Sequence, residues 1–447
     1  MTPELLSPAG TLKSMQFAFA YGADAVYAGQ PRYSLRVRNN EFNKLENLEK
    51  AINLAHQQGK QFYLATNLSP HNDKIRSFLR DMEPIIAMKP DALIMSDPGL
   101  IMLIRENWPD QEIHLSVQAN AVNWATVKFW HQQGLSRVIL SRELSIDEIG
   151  EIKQKVPEME LEVFVHGALC IAYSGRCLLS GYMTHRDSNQ GACTNSCRWK
   201  YQAHEAKETP EGDIIAVNPP VEQWKPEAKP GQLPGVEDRI FLLQEEGRPG
   251  EYMPAYEDEH GTYIMNSKDL RAIQHMHRLY ELGVDSFKIE GRTKSHFYVA
   301  RTAQVYREAL DDAVAGRAFN MELMDKLEGL ANRGYTEGFY RRHLPAEYQN
   351  YESGHSKSVT QQFVGEILDV DKARQMMTIE VKNRFVVGDQ IELMTPKGNI
   401  PFKLEHIESA KTGERMDIAP GSGHIVNIPM PADEIPAQSM LIRNLPV

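Results

Sequence analysis

Across about the first 300 residues of this 447-residue chain, eight short apolar runs alternate with mostly amphipathic helical stretches, and this alternation constrains the fold most. The runs are Glu4-Leu-Leu-Ser, Asp24-Ala-Val-Tyr-Ala, Gln61-Phe-Tyr-Leu-Ala-Thr and Ala92-Leu-Ile-Met-Ser, then Ile113-His-Leu-Ser-Val, Arg137-Val-Ile-Leu-Ser, Leu161-Glu-Val-Phe-Val and Ser286-Phe-Lys-Ile-Glu. Runs of this kind read as strands buried on both faces, which suits a parallel sheet with helices packed outside it. Between Leu45 and Gln58 the residues Leu45, Leu48, Ala51, Ile52 and Ala55 share one helical face. The pattern predicts an α/β fold, a TIM-like (β/α)8 barrel. An open sheet is the alternative, because periodicity does not show closure. Polar residues recur at the run ends: Asn67, Ser96, Asp97, Gln118, Asn120, Arg142, Glu143, His166, Glu290 and Arg292. In a barrel those positions line the C-terminal mouth, where active sites are built. Any one of them is as well explained by the end of a strand; the set points to a working face.

Further along, the character changes twice. Residues 203–260 hold eight of the 25 prolines and carry fourteen Asp/Glu against five Lys/Arg, a local balance of -9. They read as an acidic, irregular insertion between the seventh and eighth strands, with a hairpin around Arg239-Ile-Phe-Leu-Leu. Helical patterns return from about Ser267 to Leu330. From residue 357 to 447, runs such as Gln375-Met-Met-Thr-Ile-Glu-Val alternate in period two, which predicts a small all-β barrel after a linker at 341–356. The barrel domain then spans 1–340.

The whole chain carries a formal charge of -11, so the insertion leaves only -2 for the rest. That balance permits a local basic surface for nucleic acid without indicating one. No apolar run approaches the length of a membrane span, and the opening Met1-Thr-Pro-Glu reads as mature protein, so the expected location is the cytoplasm.

Only four cysteines occur, and all fall between Cys170 and Cys197, spaced C-x6-C-x15-C-x3-C. Four is far too few for a disulfide-built scaffold, whereas clustering points to metal ligation. Structural zinc sites usually pair two close knuckles, and here only Cys193 and Cys197 are close. Four thiolates suit either zinc or a 4Fe–4S cube, and spacing alone divides these evenly. Free buried cysteines are the third reading.

The run Phe164-Val-His-Gly-Ala-Leu-Cys-Ile-Ala-Tyr-Ser-Gly-Arg-Cys-Leu-Leu-Ser resembles the signature of the collagenase-like peptidase family of unknown catalytic type. Supporting segments are Leu6-Ser-Pro-Ala-Gly, Asp24-Ala-Val-Tyr-Ala-Gly, Ser116-Val-Gln-Ala-Asn, Lys288-Ile-Glu-Gly-Arg and Asn332-Arg-Gly-Tyr-Thr-Glu-Gly-Phe, which together reach about residue 340. Length and the acidic insertion are most similar to the family's tRNA-hydroxylating branch. That resemblance implies an enzyme forming 5-hydroxyuridine at the wobble position of tRNA, with prephenate as co-substrate. It also implies a 4Fe–4S cluster on Cys170, Cys177, Cys193 and Cys197, delivered by iron–sulfur assembly machinery.

Two other readings compete. A zinc peptidase needs His-Glu-x-x-His on a helix, and the nearest match, His204-Glu-Ala-Lys-Glu, lacks the second histidine. A non-catalytic RNA-binding protein gains no support from the C-terminal domain, which has ten Lys/Arg against twelve Asp/Glu. For the hydroxylase, His166 and Glu290 are the candidate catalytic groups. A dicarboxylate such as prephenate calls for cationic partners, and Arg36, Arg38, Lys288 and Arg292 stand near strand ends, with Asn67 and Gln118 as polar contacts.

Overall fold

The computed structural model describes residues 3–30, 32–35, 40–169, 269–330, 334–341 and 361–445, together with the backbone of five strands between 201 and 262. Arg36, Arg38, all four cysteines and the linker at 342–356 lie outside the described residues.

Seven strands open the chain: β1 (Glu4–Pro8), β2 (Ala25–Gly29), β3 (Gln61–Ala65), β4 (Ala92–Met95), β5 (Ile113–Leu115), β6 (Arg137–Ile139) and β7 (Glu160–Ala168). Helices α1 (Leu12–Ala20), α2 (Leu45–Gln57), α3 (Asn72–Ala87), α4 (Pro98–Asn107), α5 (Trp124–Gln132) and α6 (Ile146–Lys155) alternate with them. The helix starts are written locally. Thr11, Asp97, Asn123 and Ser145 each accept a hydrogen bond from the third helical N–H, and Ser145 forms a full capping box with Glu148. On α2 the buried face is Leu48, Ala51, Ile52 and Ala55, whereas Leu45 is exposed at the first turn.

Between β7 and the last barrel strand stand β8 (Tyr201–Glu208), β9 (Ile214–Ala216), β10 (Ile240–Glu245), β11 (Tyr252–Asp258), β12 (Gly261–Thr262) and β13 (Asp269–Arg271). The expected irregular insertion therefore contains a five-stranded antiparallel sheet, ordered β12-β11-β10-β8-β9. Its prolines hid the sheet from view: seven of the eight fall between the strands, and of the sheet's five strands only β11 contains one, Pro254.

Closure comes from β14 (Ser286–Ile289), which pairs in parallel with β1 through Glu4↔Ser286 and with β7 through Ser286↔Glu162. All eight predicted runs are strands of one closed parallel barrel. Around it follow α7 (Met276–Glu281), α8 (His296–Val314), α9 (Glu322–Glu328) and β15 (Tyr335–Thr336). Strand β13 pairs antiparallel with β7 outside the closed ring and carries β15.

The C-terminal domain is antiparallel and all β. Its main strands are β16 (Gln361–Asp371), β17 (Met376–Val381), β18 (Phe385–Val386), β19 (Gln390–Met394) and β20 (Ile400–Lys403), then β21 (Ile407–Ser409), β22 (Arg415–Met416), β23 (Ile418–Ala419), β24 (Ile425–Pro429) and β25 (Met440–Asn444). Eight of them form a half-barrel rather than a closed one, with β20 and β22 as end strands among the described residues. Val364, Ile379, Leu393 and Leu441 sit in its own core, while Met394, Met440 and Ile442 join the barrel's core. No helix among the described residues is long and apolar enough to cross a membrane.

Candidate active site

Charged side chains inside the barrel are arranged in tiers. At the floor, Arg137 on β6 reaches Glu4 on β1 at 2.6 Å, although two strands separate them around the wall, so the contact crosses the lumen. Arg137 also bonds Glu160 at 2.8 Å and lies 3.4 Å from Glu162. The Tyr63 hydroxyl and Ser286 Oγ donate to the Glu4 carboxylate at 2.5 and 2.7 Å. Above them, Lys288 Nζ donates to Glu162 Oε1 at 2.6 Å and sits 4.2 Å from the Tyr27 ring and 5.5 Å from the Phe164 ring. Burial pulls the Lys288 ammonium below its usual range, and the Glu162 carboxylate opposes that pull.

The top tier is the mouth. Arg142, just beyond β6, lies 3.6 Å over the Phe164 ring and points Nη2 at Glu290 Oε2, 3.3 Å away. Arg292 donates to Ser34 Oγ at 2.8 Å and lies 5.7 Å from the Tyr27 ring. Asn67 ties three loops together. Its amide donates to Ser116 Oγ at 3.0 Å, its Oδ1 accepts from the Leu35 N–H at 3.4 Å and its backbone carbonyl accepts from Ser96 Oγ at 3.1 Å. Gln118 stands half-buried in a single 3-10 turn over Val117–Ala119, and its side-chain amide has no partner among the described residues.

His166 takes a different direction. Its ring is fully enclosed by Tyr298 and Tyr306 of α8 and Tyr335 of β15, with centroids 5.8, 5.4 and 5.4 Å away. The Tyr306 hydroxyl spends its proton on the Val165 carbonyl at 2.7 Å. It therefore accepts from His166 Nδ1 at 3.3 Å, which fixes the proton on Nδ1 and leaves Nε2 as the lone-pair nitrogen. Burial pushes the ring's pKa down to about 3. Of the two candidate catalytic groups, Glu290 reaches into the mouth and His166 packs against the helix side; their chains meet through the backbone, Glu290 N–H to His166 carbonyl at 2.9 Å.

The strands thus gather Lys288, Glu290, Arg292 and Asn67 at one end of the barrel. Arg142, named among the polar run ends but given no role, completes the lining with Tyr27, Phe164 and Glu162, which sequence reasoning did not single out. The signal for Glu162 was present, since an acid within Leu161-Glu-Val-Phe-Val requires a buried partner. Among the described residues no group of three His, Cys, Asp or Glu is placed to hold a metal ion. The His204–Glu208 segment lies on strand β8, so it has no helical face on which to present ligands.

Residues 10–350 match the model of peptidase family U32, and residues 359–443 match that family's C-terminal domain. A protein of Escherichia coli (strain K12) called tRNA hydroxylation protein P is 63% identical over 99% of this chain and 97% of its own length. A Haemophilus influenzae protein of the same name is 61% identical, covering 99% of this chain and 96% of that one. The tRNA hydroxylation protein P1 of Bacillus subtilis (strain 168) is 34% identical over 98% of this chain and 94% of its own.

Proposed function

We propose, from the premise that this chain belongs to peptidase family U32, that it is a tRNA-modifying enzyme which hydroxylates uridine. The observation that carries this reading is identity above 60% through both domains to two proteins named for tRNA hydroxylation. In its full form the proposal is formation of 5-hydroxyuridine at the wobble position, in the cytoplasm, with prephenate as co-substrate. The mouth supports a small anionic co-substrate because cations from β6 and β14 converge there over aromatic rings.

We assign a 4Fe–4S cluster to Cys170, Cys177, Cys193 and Cys197, which follow directly from β7 in the chain. Four thiolates are the donor type and number such a cluster takes, and the assembly machinery would be a partner. When bound, the cluster supplies the redox capacity that no side chain has. The protein's own groups would do the rest. Glu290 can hold or move a proton at the mouth, Asn67 fixes the loops, and neutral His166 orients the segment that leads into the cysteines.

Nucleoside mass spectrometry on cells lacking this protein, grown without oxygen, tests the reaction. Loss of the 5-oxy modification at wobble uridines is the expected result, with the same loss when prephenate synthesis is blocked. Unchanged spectra would return weight to the peptidase reading. Separately, anaerobically purified protein should carry about four iron and four sulfide per chain, and stoichiometric zinc without colour would refute the cluster.

A further inference from the structure

Two arginines inside this barrel differ sharply in what they are given. Arg137, 7% exposed, faces three carboxylates at 2.6, 2.8 and 3.4 Å. Arg142 has a side chain only 9% exposed, yet its one hydrogen bond among the described residues is a 3.3 Å contact from Nη2 to Glu290. Its Nε is buried with no partner. Of the five N–H groups a guanidinium offers, four have no partner among the described residues. Glu290 does not compensate fully, because its charge also acts on Lys288. A cation removed from water and left this poorly paired is costly, so a site that maintains one is built for something that completes it.

We propose that Arg142 binds a carboxylate of a small-molecule co-substrate at the barrel mouth, with its guanidinium laid flat on Phe164 and tethered by one arm to Glu290. Stacking on the ring at 3.6 Å fixes the plane of the fork and keeps it from folding back to the wall. A planar carboxylate can take two N–H groups from such a fork. The depth selects the ligand's size. A phosphate on an RNA chain would have to carry its neighbours to a group nine-tenths buried, whereas a free carboxylate enters alone. The Phe164 ring is shared by Arg142 and Lys288, and the Tyr27 ring by Lys288 and Arg292. The bound molecule would therefore meet cations and aromatic rings in close company, which suits an unsaturated acid. This inference rests on the proposed dependence on a carboxylate co-substrate and names the residue that recognises it.

The test is calorimetric titration of anaerobically isolated full-length wild type, Arg142→Lys and Arg142→Gln, using prephenate and, as a plain dicarboxylate, succinate. Melting curves check the fold of each variant. The expected result is that wild type binds prephenate, Arg142→Gln binds at least about thirty-fold more weakly, and Arg142→Lys loses about ten-fold while retaining its melting temperature. If Arg142→Gln melts early, the lysine variant carries the comparison, since it keeps the charge against Glu290. Equal prephenate affinity in wild type and a folded variant overturns the assignment to Arg142 and leaves the tRNA reading untouched. Binding of succinate but not prephenate, lost in the variants, upholds Arg142 and overturns prephenate as co-substrate. No binding of either acid by wild type overturns both.

Discussion

His166 shows how much a barrel wall changes one residue. An unfolded histidine takes up its proton near pH 6.5, whereas the buried one waits until about pH 3. Between those values the unfolded chain binds more protons, so stability present above about pH 6.5 is lost as the pH falls through this window. His166→Phe should flatten that loss by up to about 1.4 kcal/mol per pH unit, read from urea midpoints between pH 7 and 4. An unchanged slope would mean that the ring is not held neutral. Lys288 and Glu162 depend on each other, being 3% and 0% exposed and 2.6 Å apart. Replacing Lys288 alone by Met strands a buried carboxylate with Arg137 as its one remaining cation among the described residues and should cost about 3–5 kcal/mol. Replacing both, Lys288→Met with Glu162→Gln, should cost less than the single change, a sign of coupling that a double-mutant cycle reads directly.

At the scale of elements, β7 carries the greatest demand, because it pairs with β6, β13 and β14 and then leads to the cysteines. Its Gly167 has φ +106°, and a Cβ there would stand 2.4 Å from the Glu290 carbonyl oxygen. Gly167→Ala should therefore destabilise the barrel by more than about 1 kcal/mol and displace Glu290 from Arg142. Denaturant midpoints together with prephenate titration would show both effects, and a neutral alanine would show that the close approach relaxes. The eight barrel strands were legible because each is a short apolar run with a helix behind it, and burial on both faces leaves that signature in one dimension. The mouth was legible only as a set of strand-end polar residues. That Arg142 meets Glu290, or that His166 turns toward Tyr306, follows from closure of β14 on β7 and from the bulge between Lys288 and Ile289. Sequence periodicity contains neither. The sheet of β8 to β12 was hidden for a related reason: the β8–β10 pairing that joins its two halves spans about 30 residues of chain, and the prolines in that stretch read as loop.

For the molecule as a whole, the half-barrel is bound to the barrel by α1 and α8. The Tyr21 hydroxyl contacts the Met394 and Gln438 carbonyls at 3.1 and 3.0 Å, Phe297 stacks on Phe363 with centroids 5.0 Å apart, and Arg301, 2% exposed, donates to Gln361 at 3.0 Å. Glu366 on β16 is the ionic centre of this contact. It pairs with Lys13 of α1, with His296 Nε2 at 2.9 Å where α8 begins, and with Lys382 at 3.5 Å. Burial alone would raise its carboxyl, but the approach of His296 and the hydrogen bond from Lys13 hold it down to about 2. A glutamate in the unfolded chain titrates near 4.3. The folded value is the lower one, so this carboxylate's contribution is complete above about pH 5 and disappears as the pH falls from there toward 2. The interface should accordingly weaken in acid before the barrel's apolar core does. Glu366→Gln should lower the urea midpoint at pH 7 and make the loss between pH 5 and 3 shallower. Glu380→Gln is the control, because Glu380 pairs with the same Lys382 at 2.9 Å but is 39% exposed, and such surface pairs contribute little. Equal shifts in the two variants would mean that Glu366 acts as ordinary surface charge, and that the two domains are held together by Phe297, Tyr21 and their apolar neighbours alone.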